Sequence, residues 1–203
     1  MRRNLIFLIL ILVVLAGCTH TVNVALRPNF GATLQPGNEL SNVEPAIQFF
    51  KGEFADKRPD PSSLARFKQG WHSYTLYEAR SVEEALFDGF GVLIETSGHK
   101  WSSTEEGEVK VNIEFINLTA ARAAGLIEVS ATSGIQIKVD FLDAKTGDMI
   151  YTNIFSGADN RKQALIGLME MVKDSIDWSI VKCIQSVGDD AGLSSALKKF
   201  LEK

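Results

Sequence analysis

Val109-Lys110-Val111-Asn112-Ile113-Glu114-Phe115 alternates apolar and polar residues without a break, and Ile135-Gln136-Ile137-Lys138-Val139-Asp140-Phe141 does the same. Successive side chains of a strand point to opposite faces, so each run has one apolar face and one polar face. Two such runs argue for an antiparallel sheet wetted on one side. Between them, residues 120–125 read as a connecting loop and residues 126–131 as the start of the second strand. Ser133-Gly134 suggests a bulge or bend in it. Asp143-Ala144-Lys145-Thr146-Gly147-Asp148 is a hairpin turn, and residues 149–156 return as a third strand.

Asp159-Asn160 then reads as the cap of a long helix with the stripe Leu165, Leu168, Met169, Val172, Ile176, Ile180, Cys183, Ile184 and Val187. Gly188 ends it, and a short amphipathic helix follows over 193–201. Upstream, Ser81 caps a helix over 82–95, whose first turn carries Glu83 and Glu84, where negative charge suits the helix dipole. Residues 46–50 form a buried strand, 52–61 a polar loop, and 71–77 a strand rich in aromatics and Thr. Residues 21–26 make a brief strand, and 27–43, with two Pro and two Gly, read as a tether. The order is strand, strand, helix, three strands, helix. It predicts an α+β two-layer sandwich, a mainly antiparallel sheet with two main helices on one face.

The amino terminus has a different character. Arg2 and Arg3 precede 12 unbroken apolar residues, 5–16. As a helix these span roughly 18 Å, well short of a ~30 Å bilayer core. They read as the hydrophobic part of a signal peptide. The run ends in Leu15-Ala16-Gly17-Cys18, which resembles the bacterial lipobox: cleavage between Gly17 and Cys18, and lipidation of the Cys18 thiol. The expected division is a signal peptide over 1–17, a lipidated segment with short strand and tether over 18–43, and a periplasmic domain over 44–203. Thr19 is not the Asp that retains lipoproteins in the inner membrane. The resemblance therefore implies the periplasmic face of the outer membrane.

Composition narrows the function. Basic residues number 21 against 25 acidic ones, a formal charge of -4, which speaks against a nucleic-acid partner. Cys183 is left without a partner once Cys18 is acylated, and reads as a small buried hydrophobe. His20, His72 and His99 show no metal-ligand spacing. The 143–148 run lacks the acids of a calcium loop. Asp56 and Asp60 with Lys57 and Arg58 read as loop hydrogen bonding. No nucleophile elbow, phosphate loop or dinucleotide motif is present, so no cofactor and no enzymatic activity are expected.

The lipobox, the buried strand running into Ala55-Asp56-Lys57-Arg58, the capped helix after Ala79-Arg80-Ser81, the three strands and the long final helix together resemble the YajG-like family of small bacterial lipoproteins. The resemblance covers roughly residues 5–200 and implies fold and location rather than activity. Related sandwich folds occur in envelope lipoproteins that activate cell-wall synthases or serve transport and export machines. The expectation is a non-enzymatic binding or scaffold module, held to the membrane by Cys18, with an envelope protein as partner. Trp71, Tyr74, Tyr77 and Trp101 are the candidate anchors, because Trp and Tyr are enriched at binding hot spots. The alternatives are a carrier of a lipid or glycan and an accessory subunit of an envelope complex.

Overall fold

The computed structural model describes residues 19–69, 72–78, 81–104, 106–124, 128–164 and 168–203. Residues 1–17, expected to be a signal peptide, lie outside them with Gly17 and Cys18 of the expected cleavage and lipidation site, as does Trp71. Eight strands are β1 (Thr19–Val24), β2 (Gln48–Asp56), β3 (Ala65–Gln69), β4 (His72–Glu78), β5 (Lys100–Ser102), β6 (Val109–Ala124), β7 (Glu128–Asp143) and β8 (Met149–Ala164). The helices are α1 (Phe30–Thr33), α2 (Val82–Thr96), α3 (Leu168–Gly188) and α4 (Ala191–Leu201). This is the α+β sandwich expected. Two sheets replace the single one foreseen: β5-β2-β6-β7-β8 and the smaller β1-β4-β3.

The three long strands form an antiparallel meander, while β2 joins β6 in parallel. Val109, Val111, Ile113 and Phe115 are fully buried, as the alternation requires. Beyond Phe115 the strand goes on, contrary to the expected loop at 120–125. A bulge skips Ile116, since Phe115 pairs with Ile137 and Asn117 with Gln136. One extra residue moves the inward side chains from odd to even positions, so Leu118 and Ala120 face in. The expected bend at Ser133-Gly134 is absent. Odd residues of β7 stay buried from Val129 to Phe141. Ser133 breaks the apolar run because its hydroxyl donates to the carbonyl of Ser175 on α3 at 2.6 Å.

The expected helix cap at Asp159-Asn160 is also corrected. Both residues belong to β8, and α3 begins at Leu168. Asp159 receives Arg161 Nε at 2.8 Å and Lys182 Nζ at 2.7 Å, clasping α3 to the strand. Residues 52–56, read as loop, extend β2, and β3 and β5 were not foreseen. The hairpin turn stands: Gly147 takes a positive φ of 77°, which a side chain disfavours.

Residues 27–43 do not form a free tether. Leu26, Phe30, Leu34, Leu40 and Val43 are buried in the core. The chain follows α3 in the same direction. Arg27 N donates to Asp177 Oδ1 (3.2 Å), Gln35 N to Gln185 Oε1 (3.0 Å) and Asn38 N to Asp189 Oδ1 (3.0 Å). His99 holds the far end, accepting from Ile47 N at 3.2 Å on Nδ1 while Nε2 meets the Leu40 carbonyl at 3.0 Å.

Arg58 fastens the two sheets' shared connection. Its guanidinium is buried, with Nε and Nη2 on Asp56 (2.9 and 2.6 Å) and Nη1 on the carbonyls of Ser63 (2.8 Å) and Leu64 (3.0 Å). It also lies 4.4 Å from the centre of the Phe115 ring. Burial pushes the Asp56 carboxyl up, but the bonds and charge of Arg58 outweigh it and hold the carboxyl below its ordinary value.

Two outcomes follow from these contacts. Arg58→Ala leaves a carboxylate and two carbonyls without their partner, and is expected to cost about 3 kcal/mol in urea unfolding, with Arg58→Lys recovering little. Asp177 behaves oppositely to Asp56. Burial raises its carboxyl above the ordinary value, against the pull of Lys173 and the Arg27 N–H. The folded chain therefore holds that proton more tightly than the unfolded chain. This residue's contribution to stability falls as pH rises from 3.8 through the folded value. Asp177→Asn keeps an acceptor for Arg27 and should flatten this fall, measured as the urea midpoint from acidic to neutral pH.

Candidate binding edge

The sequence-predicted aromatics do not gather into one patch. Tyr74 is half-buried in a row across the small sheet, stacked at 5.1 Å on His20 of β1 and at 5.1 Å on Phe67 of β3. Tyr77, at the opposite parity of the same strand, is on the other face and 37% exposed. Trp101 is on β5 in the other sheet, half-buried against Phe87 with 6.2 Å between centroids. It lies over Gly91, where an added Cβ would come within 2.8 Å of the indole. Its role is packing.

Four large apolar residues are exposed among those described: Tyr77, Met149, Ile154 and Trp178. Three of them border one strand. Met149 (51% exposed) and Ile154 (56%) belong to β8, the last strand of the large sheet. Trp178 lies on α3, and Arg161 of β8 places its guanidinium 5.3 Å from the indole centre. Ile154 breaks the phase of its strand. Thr152 and Ser156 share its outward face, and an isoleucine there is an apolar residue in a polar register. Trp178 similarly stands outside the buried stripe of α3. These two departures are the signals in the sequence that mark this edge.

A terminal strand has one flank of backbone groups outside the ladder. On β8 two of these are met locally. Ile154 N donates to the Asn153 side chain at 2.8 Å, and the Ala158 carbonyl accepts from Lys182 at 3.1 Å. Both are even-numbered, so the even residues of β8 turn their backbone groups outward. At the hairpin end, Tyr151 and Asn153 hold Asp190, which caps α4 through Leu193 N at 2.9 Å. Burial pushes Asp190 up, and these donors outweigh it, leaving the carboxyl below its ordinary value. Next to them a groove of about 370 Å³ runs between the hairpin and α4, lined by Met149, Ile150, Ala196 and Phe200 with Asp148 and Lys199 at its mouth.

One face of β8 is closely packed. α3 sits on β8 so closely that a Cβ at Gly157 would lie 2.0 Å from the Ser179 carbonyl oxygen and 2.4 Å from Cys183 N. Cys183 is buried on the sheet-facing side of α3, and burial pushes its thiol up to about 12, leaving it unreactive. Among the described residues no group of three or more His, Cys, Asp or Glu is placed to hold a metal ion. His20 Nε2 and His72 Nδ1 are 3.0 Å apart, a hydrogen-bonded pair on the small sheet.

No protein-family model and no curated relative matches the chain. Its fold is that of known structures. XCC0632 from Xanthomonas campestris, of the DUF330 family model, superposes with a TM-score of 0.60 at 9% identity, covering 89% of this chain and 99% of its own. A candidate neuraminyllactose-binding hemagglutinin homolog from Helicobacter pylori gives 0.47 at 11% identity, over 83% and 93%. A candidate lipoprotein from Caulobacter crescentus CB15 gives 0.41 at 13% identity, over 59% and 86%.

Gly157→Ala tests the geometry of the edge. The added methyl has to push α3 off β8, at a cost of about 1–3 kcal/mol in chemical unfolding.

Proposed function

We propose that this chain is a lipid-anchored lipoprotein of the bacterial outer membrane, of YajG-like type. Its periplasmic domain is a non-enzymatic scaffold that binds an envelope protein along β8. The observation that carries the reading is the exposure of Met149 and Ile154 on β8, the terminal strand of the large sheet, with the exposed Trp178 beside Arg161 farther along the same strand. An edge strand offers main-chain hydrogen bonds to an added strand, and flanking apolar side chains give that addition its affinity. The Lys182 bond to Ala158 guards part of the edge, as charged side chains do on strands that must not pair indiscriminately. The anchor reading is supported by the sequence Leu15-Ala16-Gly17-Cys18 behind a short apolar run.

The interior favours a scaffold over a lipid or glycan carrier. Phe49, Phe90, Phe115 and Phe141 fill the space between sheet and helices, each at most 2% exposed. A carrier needs that space open.

Two measurements test the proposal in cells of the source organism. Acyl labelling should mark the wild-type chain and not Cys18→Ser, and an unlabelled wild-type chain sinks the anchor. A photo-cross-linker at Ile154 or Trp178 should trap a discrete envelope protein, whereas one at Thr75 should not. Ile154→Lys should abolish the adduct with little change in stability, within about 0.5 kcal/mol. Equal trapping at all three positions removes β8 as the binding edge.

A further inference from the structure

We propose that His20 and His72 form a binding site for a divalent copper ion, which is held between the two imidazoles and links β1 to β4. The site stands on these two side chains and does not depend on acylation of the chain.

The chain has three histidines. His99 is buried, and its two ring nitrogens are engaged with the backbone of Ile47 and Leu40. His20 and His72 are exposed and 52 positions apart, yet His20 Nε2 meets His72 Nδ1 at 3.0 Å. Strand pairing makes this contact, which no local spacing in the sequence announces. His20 is in register with Tyr74, and His72 precedes Tyr74 by one alternation on the same face of β4. The stack behind them orients the His20 ring. Tyr74 lies on it with 20° between planes, and Phe67 backs Tyr74 from the other side at 13°.

The charge on the small sheet is arranged to suit a cation. Its strands carry two basic residues, Arg66 and Lys68 of β3. These pair with Thr75 and Ser73, so they belong to the face opposite His72 and Tyr74.

The spacing of the nitrogens selects the ion. Neutral imidazole is the commonest protein ligand for metals. In the hydrogen-bonded pair one facing nitrogen carries the proton. Moving that proton to the other nitrogen of the same ring leaves two lone pairs for an ion, with no net proton released. With metal–nitrogen bonds of about 2.05 Å, nitrogens 3.0 Å apart subtend about 94° at the ion. That is the angle between neighbouring ligands of square-planar or tetragonal copper(II), and it is narrower than the tetrahedral angle of zinc. Copper(II) is also the divalent first-row ion that such donors bind most tightly. Water completes the coordination.

The consequence is mechanical. β1 is the terminal strand of the small sheet and pairs with β4. An ion bonded to both strands favours the docked state of β1, because binding to the folded arrangement stabilises it.

The test titrates copper(II) into the full-length chain carrying Cys18→Ser, purified in detergent. The substitution removes a competing thiol, and residues 1–17 keep the free amino group away from His20. Cys183 is buried. One ion should bind per chain, and pulsed EPR should count two imidazoles on it. Affinity should exceed that of His20→Ala and of His72→Ala by about tenfold or more, since the second imidazole binds intramolecularly. The imidazole count is made on unaltered histidines, so it holds whatever the variants do to folding. Hydrogen exchange at Thr21 and Asn23 should slow when copper is added. One imidazole per ion, equal affinity in the single variants or undiminished binding in the double variant overturns the site. Absence of binding at micromolar copper does so too, leaving a hydrogen-bonded pair. Unchanged exchange in β1 overturns the link between the strands.

Discussion

The contact between α3 and the β7–β8 pair is the constraint on which the rest of the structure hangs. A helix and a sheet normally pack with side chains between them. Here Gly157 lets the α3 backbone at Ser179 and Cys183 come down onto the strand itself. The buried Ser133–Ser175 pair and the Asp159–Lys182 clasp fix the register on either side. With α3 set, its outer flank becomes the track for residues 27–38, which hydrogen-bond to Asp177, Gln185 and Asp189 in order. That track delivers the chain to β2 and leads back to β1. β1 is thus positioned by a helix that lies more than a hundred residues later in the chain, which is the kind of long-range contact that slows folding.

Period-two patterning made the core of the meander readable. Val109 to Phe115 and Ile135 to Phe141 face inward as their alternation demands, and the fold class followed from them. The pattern failed where a physical event interrupted it. The bulge at Ile116 shifted the inward phase, and the small residues Ala120 to Ala124 then looked like a loop. Asp159 is a good helix-cap residue, and nothing local reveals that its partners are Arg161 and a lysine 23 positions away. The 27–43 segment has loop composition because its backbone is irregular, yet it is anchored by side chains of a helix far along the chain. Local propensity reports on local bonds, and each of these was decided by distant ones.

The candidate site was less legible than the fold. Aromatic content marked Tyr74 and Trp101, whose rings are engaged with Phe67 and Phe87. An aromatic ring in a small protein is worth more as packing than as display, so counting rings finds core. The better signal was misfit. Ile154 is apolar in a polar phase, and Trp178 is outside its helix's stripe. Both residues are exposed along β8, the strand with an open flank.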